Sequence, residues 1–151
     1  MRSRLHAVSL PAETADFADD LRRIFDELDR TVPGPPAGEC APAIDVHETD
    51  ATLEVVIDLP DVDAAAIRVL IKGQTLLVAG RKTPRRGRPD SSFHLVERGY
   101  GRFARTIRLV VPCDTAKAQA ELARGELRIH LPKLAERRGQ PISVPIRTAG
   151  D

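Results

Sequence analysis

The residues of this chain best suited to nucleophilic or metal chemistry are two cysteines and four histidines, and their spacing supports neither. His6, His47, His94 and His130 fall in four separate segments, without the paired spacing of a metal site. Cys113 stands next to Asp114, but a thiol nucleophile also needs a base and an oxyanion site. The sequence places no histidine beside it. Cys40 lies beside a proline-rich stretch and Cys113 just after a strand, so both are expected to be inert reduced thiols in a cytosolic setting. Gly99-Tyr100-Gly101 precedes a strand rather than a helix and is no phosphate loop. No Walker lysine motif occurs. The sequence therefore predicts no enzyme, no cofactor and no metal. Any work it does must be binding.

The residue that breaks its own pattern is Arg105. From Arg102 to Val111, Phe103, Ile107, Leu109 and Val111 share one parity, while Arg102, Ala104, Thr106 and Arg108 take the other. That alternation is a strand with one face on a core. Arg105 lies on the apolar parity, where a guanidinium is costly unless a carboxylate pairs with it, as across an interface. Just upstream, Phe93 to Arg98 is a short strand-like run cut off by Gly99 and Gly101.

The elements that position these residues read in order. Residues 12–30 place Phe17, Leu21, Ile24, Phe25 and Leu28 at helical spacing opposite Asp19, Asp20, Arg22, Arg23, Asp26 and Glu27. This amphipathic helix either packs on its own domain or serves as an adhesive arm. The proline-rich connection from Val32 to Pro42 decouples it from the strands beyond and favours the arm. From Ala43 the period is two. Leu53, Val55, Ile57 and Leu59 form one strand, Ile67, Val69 and Ile71 the next, and Leu76, Val78 and Gly80 share a face in the one after, across the short turn Gly73-Gln74. Leu70 points outward on an edge strand and invites a partner. Lys82 to Ser92 is a long polar loop, locally basic through Arg81, Lys82, Arg85, Arg86 and Arg88, and read as solvated. Asp114 to Arg124 is ambiguous: TAKAQAELAR favours helix by propensity, yet Ala116, Ala118, Ala120 and Leu122 alternate as in a strand. Leu127, Ile129 and Leu131 alternate strictly in a last strand, after a turn at Gly125. Short strands without long intervening helices indicate an antiparallel β-sandwich.

In the tail, Ile142, Val144 and Ile146 repeat at spacing two, with Pro141 and Pro145 beside them. The prolines enforce extended backbone. Such a segment suits knob-in-pocket docking onto a sheet edge of another subunit.

Composition agrees with a binding module. The chain has 151 residues, 30% charged and 42% apolar, a formal net charge of +1 and 3% aromatics. That is one compact domain plus tails, with neither the basic excess nor the stacking residues of a nucleic-acid binder. No apolar run approaches the roughly 20 residues that span a bilayer. The first residues lack the apolar core of a secretory signal, so a cytoplasmic location is expected. Acids mixed among the bases on the helix's polar face argue against a membrane surface.

Several pieces in this order and spacing resemble the α-crystallin domain of small heat-shock proteins of bacterial type. They are the entry PAIDVHE with Pro42, Asp45 and Glu48, the run ERGYGRFAR with Phe103 and Arg105, and Ala120, Gly125 and Leu127 as A-x-x-x-x-G-x-L. The LPK of Leu131 to Lys133 and a tail of the I-x-V type complete the set. The resemblance spans about Pro42 to Ile146. It implies an immunoglobulin-like antiparallel β-sandwich (residues 42–133) between a helical N-terminal arm (1–41) and an extended tail (134–151). It also implies that Asp114 to Leu122 is a strand. Phe93 to Val96 would exchange between partners of a homodimer, with Phe93, Leu95, Glu97 and Arg105 at the interface. Ile142 and Val144, or Val144 and Ile146, would dock in a groove bearing Val69, Leu70, Ala118 and Ala120, joining dimers into a larger homo-oligomer.

The function implied is an ATP-independent holdase that binds unfolding client proteins through Phe17, Leu21, Ile24, Phe25, Leu28 and the edge groove. The rival is an adaptor or co-chaperone sandwich binding one folded partner, which needs neither the amphipathic arm nor the I-x-V tail.

Overall fold

The computed structural model describes residues 16–34, 38–85, 87–135, 141 and 143–146. Period-two alternation becomes two antiparallel sheets. The first has the order β1-β2-β7-β6, with β1 Ile44–Glu48, β2 Thr52–Asp58, β7 Glu126–Pro132 and β6 Gln119–Ala123. The second has the order β3-β4-β5, with β3 Ile67–Lys72, β4 Thr75–Lys82 and β5 Gly101–Arg108. Inward side chains meet in register: Leu53 opposite Leu131, Val55 opposite Ile129 and Ile57 opposite Leu127 in one sheet, and Leu76 opposite Ile107 in the other. Leu53, Val55, Ile57, Leu76, Val78, Phe103, Leu127, Ile129 and Leu131 form the core between the sheets, none more than 4% exposed. Burying each of these large side chains is worth about 1.5–3 kcal/mol, so this layer carries the fold.

Two glycines are required by geometry. Gly80 faces inward opposite Phe103, and a Cβ there would lie 2.4 Å from the Ala66 carbonyl oxygen and 2.4 Å from Cζ of Phe103. Gly125 ends the two-residue turn from β6 to β7, where Arg124 and Gly125 both have positive φ (52° and 79°). A hairpin turn of that kind matches the strand twist.

Several expectations are corrected. Asp114–Leu122 is not one strand. A 3₁₀ turn covers Thr115–Lys117, closed by Lys117 N–H to Asp114 O and Ala118 N–H to Thr115 O, and β6 begins only at Gln119. The helical propensity of that segment survives as this single turn. Phe93 to Arg98 pairs with none of the described strands of this chain, which is no correction, since the resemblance gives it a place in a partner's sheet. The helix, α1 (Ala18–Thr31), is not held apart by the connection after it. Gly38 and Cys40 bond the backbone of Arg102, and the β4 residue Arg81 grips Val32 and Gly34. The connection is pinned at Val32 and Gly34 and again at Gly38 and Cys40. Arg81 is 3% exposed and does not belong to a solvated basic loop.

Candidate functional site

Helix α1 lies across the outer face of the β3-β4-β5 sheet. Its spacing puts Phe17, Ile24 and Leu28 on one stripe, and they are buried against the outward Leu77 and Ala79 of β4. Leu21, Phe25 and Leu70 border this second cluster, half-buried. Of the five residues expected to bind clients, three are thus covered by the chain's own sheet.

Around the apolar contact runs a ring of ion pairs. Asp20 accepts from Lys72 of β3 and, at 2.7 Å, from Arg23. Glu27 accepts from Arg68 of β3 at 2.7 Å, and Asp29 from Arg102 of β5. Lys72 also stands 5.2 Å from the centre of the Phe17 ring, and Arg102 5.1 Å from that of Phe25. The hydrogen bond from Lys72 is the main cause holding the Asp20 carboxyl below its ordinary value, opposed by burial. At the exit of the helix, Arg81 donates to the carbonyls of Val32 (3.1 Å) and Gly34 (2.7 Å) and stands 3.8 Å from Asp29. It ties down the chain immediately after the helix, at the C-cap residue Val32 and at Gly34.

The sandwich is open along one side, between edge strands β3 and β6. Val69 and Ile71 from β3 and Ala118 and Leu122 from the edge of the other sheet pack on the border of the core, half-buried or partly so, and Ala120 is exposed. Leu70 does not line this groove. The pleat turns it to the opposite face, under α1, and Ile71 takes the place expected of it. In the tail, Val144 is 78% and Ile146 94% exposed. Ile142 lies outside the described residues.

At the opposite side, Arg105 does sit on the inward parity, opposite Val78, and donates to the Pro42 carbonyl at 2.5 Å. Within the chain a backbone oxygen takes the guanidinium; the carboxylate expected for it belongs to an interface. Phe93 (74% exposed), Leu95 (73%) and Val96 (64%) stand in solvent. With Pro84 and Tyr100 they border a cleft of about 190 Å³, which Arg85, Glu97 and Arg98 also line.

The sequence treats the histidines as separate, yet β-sheet register brings two together. His47, Glu54 and His130 are neighbours across β1, β2 and β7. One Glu54 oxygen is 3.2 Å from Nε2 of His47 and the other 3.3 Å from Nδ1 of His130. Their shared outward parity was the available signal. Among the described residues, no three His, Cys, Asp or Glu side chains are grouped to hold a metal ion. Cys40 and Cys113 are free, and burial pushes both thiols up, away from the reactive thiolate. No helix among the described residues is long and apolar enough to cross a membrane.

Comparison with known proteins agrees with this architecture. The model of the Hsp20/alpha crystallin family matches residues 45–147. Spore protein SP21 of Stigmatella aurantiaca is 32% identical over 117 residues, covering 78% of this chain and 67% of that protein. Heat shock protein 16 of Schizosaccharomyces pombe is 29% identical over 126 residues, covering 82% and 85%. Among solved structures, a small heat-shock protein from Xylella fastidiosa superposes with a TM-score of 0.62 at 28% identity, over 72% of this chain and all of that one.

Proposed function

The chain belongs to the Hsp20/alpha crystallin family, whose model matches residues 45–147, and from that premise we propose that it is an ATP-independent holdase. It binds unfolding proteins and keeps them from aggregating, without catalysis or cofactor, in the cytoplasm. The observation that carries this reading is the amount of apolar side chain the chain leaves outside its core. Phe93, Leu95 and Val96 stand in solvent without a ladder partner among the described strands, Val144 and Ile146 are exposed, and α1 presents a further apolar stripe to the sheet. Burial of such surface is worth about 25 cal/mol per Å² whatever the partner's sequence, which suits broad client choice.

In this reading Phe93 to Val96 completes the edge of a partner's sheet, with Glu97 and Arg105 beside it, and makes the homodimer. The tail residues Ile142, Val144 and Ile146 dock in the open side lined by Val69, Ile71, Ala118 and Ala120, joining dimers. Weak tail contacts act together through effective concentration. Warming loosens these tail contacts and also those of α1 on its own sheet, and so exposes Phe17, Leu21, Ile24, Phe25 and Leu28 to clients.

The test is light scattering from a heat-aggregating model client without nucleotide. Suppression near one subunit per client is expected. No suppression at temperatures where the sandwich stays folded would overturn the holdase and favour an adaptor for one folded partner.

A further inference from the structure

The outer face of the β3-β4-β5 sheet has a one-sided charge. Its outward positions carry Arg68, Lys72, Arg81, Arg102 and Arg108, around the apolar Leu70, Leu77, Ala79 and Ala104, and not one carboxylate. Among the described residues, the acids that meet Arg68, Lys72, Arg81 and Arg102 across the interface come from α1, through Asp20, Glu27 and Asp29. The apolar floor supplies affinity and the cationic rim supplies choice, since partly exposed ion pairs add little energy but penalise the wrong charge.

We infer that this sheet face is a second, covered binding surface that takes an amphipathic helix with acidic flanks, α1 being its resident occupant and an acidic amphipathic segment of an unfolding protein its competitor. The inference rests on the holdase reading for the source of that competitor, but the surface itself is defined by its charge. Release of α1 does not open the main core. Leu77 and Ala79 point away from Leu76 and Val78, and the two apolar clusters lie on opposite faces of β4. The face can therefore be uncovered and covered again while the sandwich stays folded. A tethered occupant also sets a threshold. A competitor must outbid a helix held at high effective concentration, so few segments bind until the tether is weakened by heat or salt.

The experiment uses the full chain and two fluorescent peptides. One copies residues 16–32, and the other replaces its acids with lysine. In Glu27→Lys/Asp29→Lys protein the resident helix is repelled by Arg68 and Arg102, while the sheet is untouched. This variant is expected to bind the acidic peptide roughly tenfold more tightly than the unaltered protein and the lysine peptide hardly at all. Adding Arg68→Gln and Lys72→Gln, neutral changes that offer the Glu27→Lys helix no new ion pair, should abolish the gain, with an unchanged melting temperature showing that the sandwich is intact. Equal binding of both peptides, or binding indifferent to Arg68 and Lys72, would overturn the inference. Aggregation suppression measured on the same samples separates the two claims. Peptide binding with no suppression counts against the holdase and leaves this surface standing.

Discussion

Arg81 offers the sharpest test of how α1 is held. Replacing it with methionine keeps most of the side-chain volume and removes both hydrogen bonds, to Val32 O and Gly34 O. A bond from a charged donor contributes about 1.5–3 kcal/mol net. Gly34 is exposed, so water recovers much of that bond on loss, whereas half-buried Val32 recovers less. The ion pair to Asp29 at 3.8 Å adds little, because Asp29 keeps Arg102. The methionine also ends the cost of burying a cation. The balance is about 2 kcal/mol against the docked helix, or roughly a thirtyfold rise in its opening. Native-state hydrogen exchange reads this directly. The amides of Leu21 to Leu28 should exchange about thirtyfold faster, and those of Val55 and Ile129 at their original rate, since Arg81 faces away from their core. If both sets lose protection together, Arg81 supports the fold and not the latch. If neither changes, water replaces it without loss.

Three further perturbations have outcomes set by the geometry. Gly80→Ala places a methyl 2.4 Å from the Ala66 carbonyl oxygen and the Phe103 ring, which should cost about 2–3 kcal/mol by overpacking and lower Tm on the order of 10 °C; an unmoved Tm would show that the ring reseats freely. Asp20 is held below its ordinary value of 3.8, first by its bond from Lys72, so its contribution is full above that pH and lost as pH falls through its lower folded value. Far-ultraviolet circular dichroism should therefore show helix loss only below about pH 4, with that acid step missing in Asp20→Asn; loss already at mildly acid pH would assign the latch to another group. Ile142→Ala/Val144→Ala should reduce the assembly mass in multi-angle light scattering, and an unchanged mass would reject docking by that pair.

Sheet structure was legible in the sequence wherever one face meets a core. Leu53, Val55 and Ile57 alternate because the intervening Glu54 and Val56 look outward, and Leu127, Ile129 and Leu131 repeat the pattern across the ladder. The same parity placed Arg105 inward. What sequence hid was the identity of each partner. Arg81 looked like the first residue of a basic loop because its partners are backbone carbonyls 49 and 47 residues away, which leave no side-chain trace. His47 and His130 meet on Glu54 only through the β1-β2-β7 register. Leu70 was legible as outward, but not as covered. The alternating alanines after Asp114 fit helix and strand alike, and local turn bonds decided in favour of a 3₁₀ turn before β6.

The division between the two apolar clusters explains how adhesion can be separated from stability in so small a chain. The inter-sheet core draws on β2, β3, β4, β5 and β7, whereas the cluster under α1 consists of Phe17, Ile24, Leu28, Leu77 and Ala79. Among the described residues, only Val32 borders both. Cooperative units with few buried apolar groups open at lower free energy than the global fold, so α1 lifts before the sheets part. A binding face made of core residues would appear only when the protein itself unfolded. Because β4 presents Leu76 and Val78 to one side and Leu77 and Ala79 to the other, a single strand serves the permanent core with one parity and the releasable contact with the next. The cations flanking the second parity, Arg68, Lys72, Arg81 and Arg102, then keep the uncovered face soluble, and they bias it toward acidic amphipathic segments over like copies of the sheet.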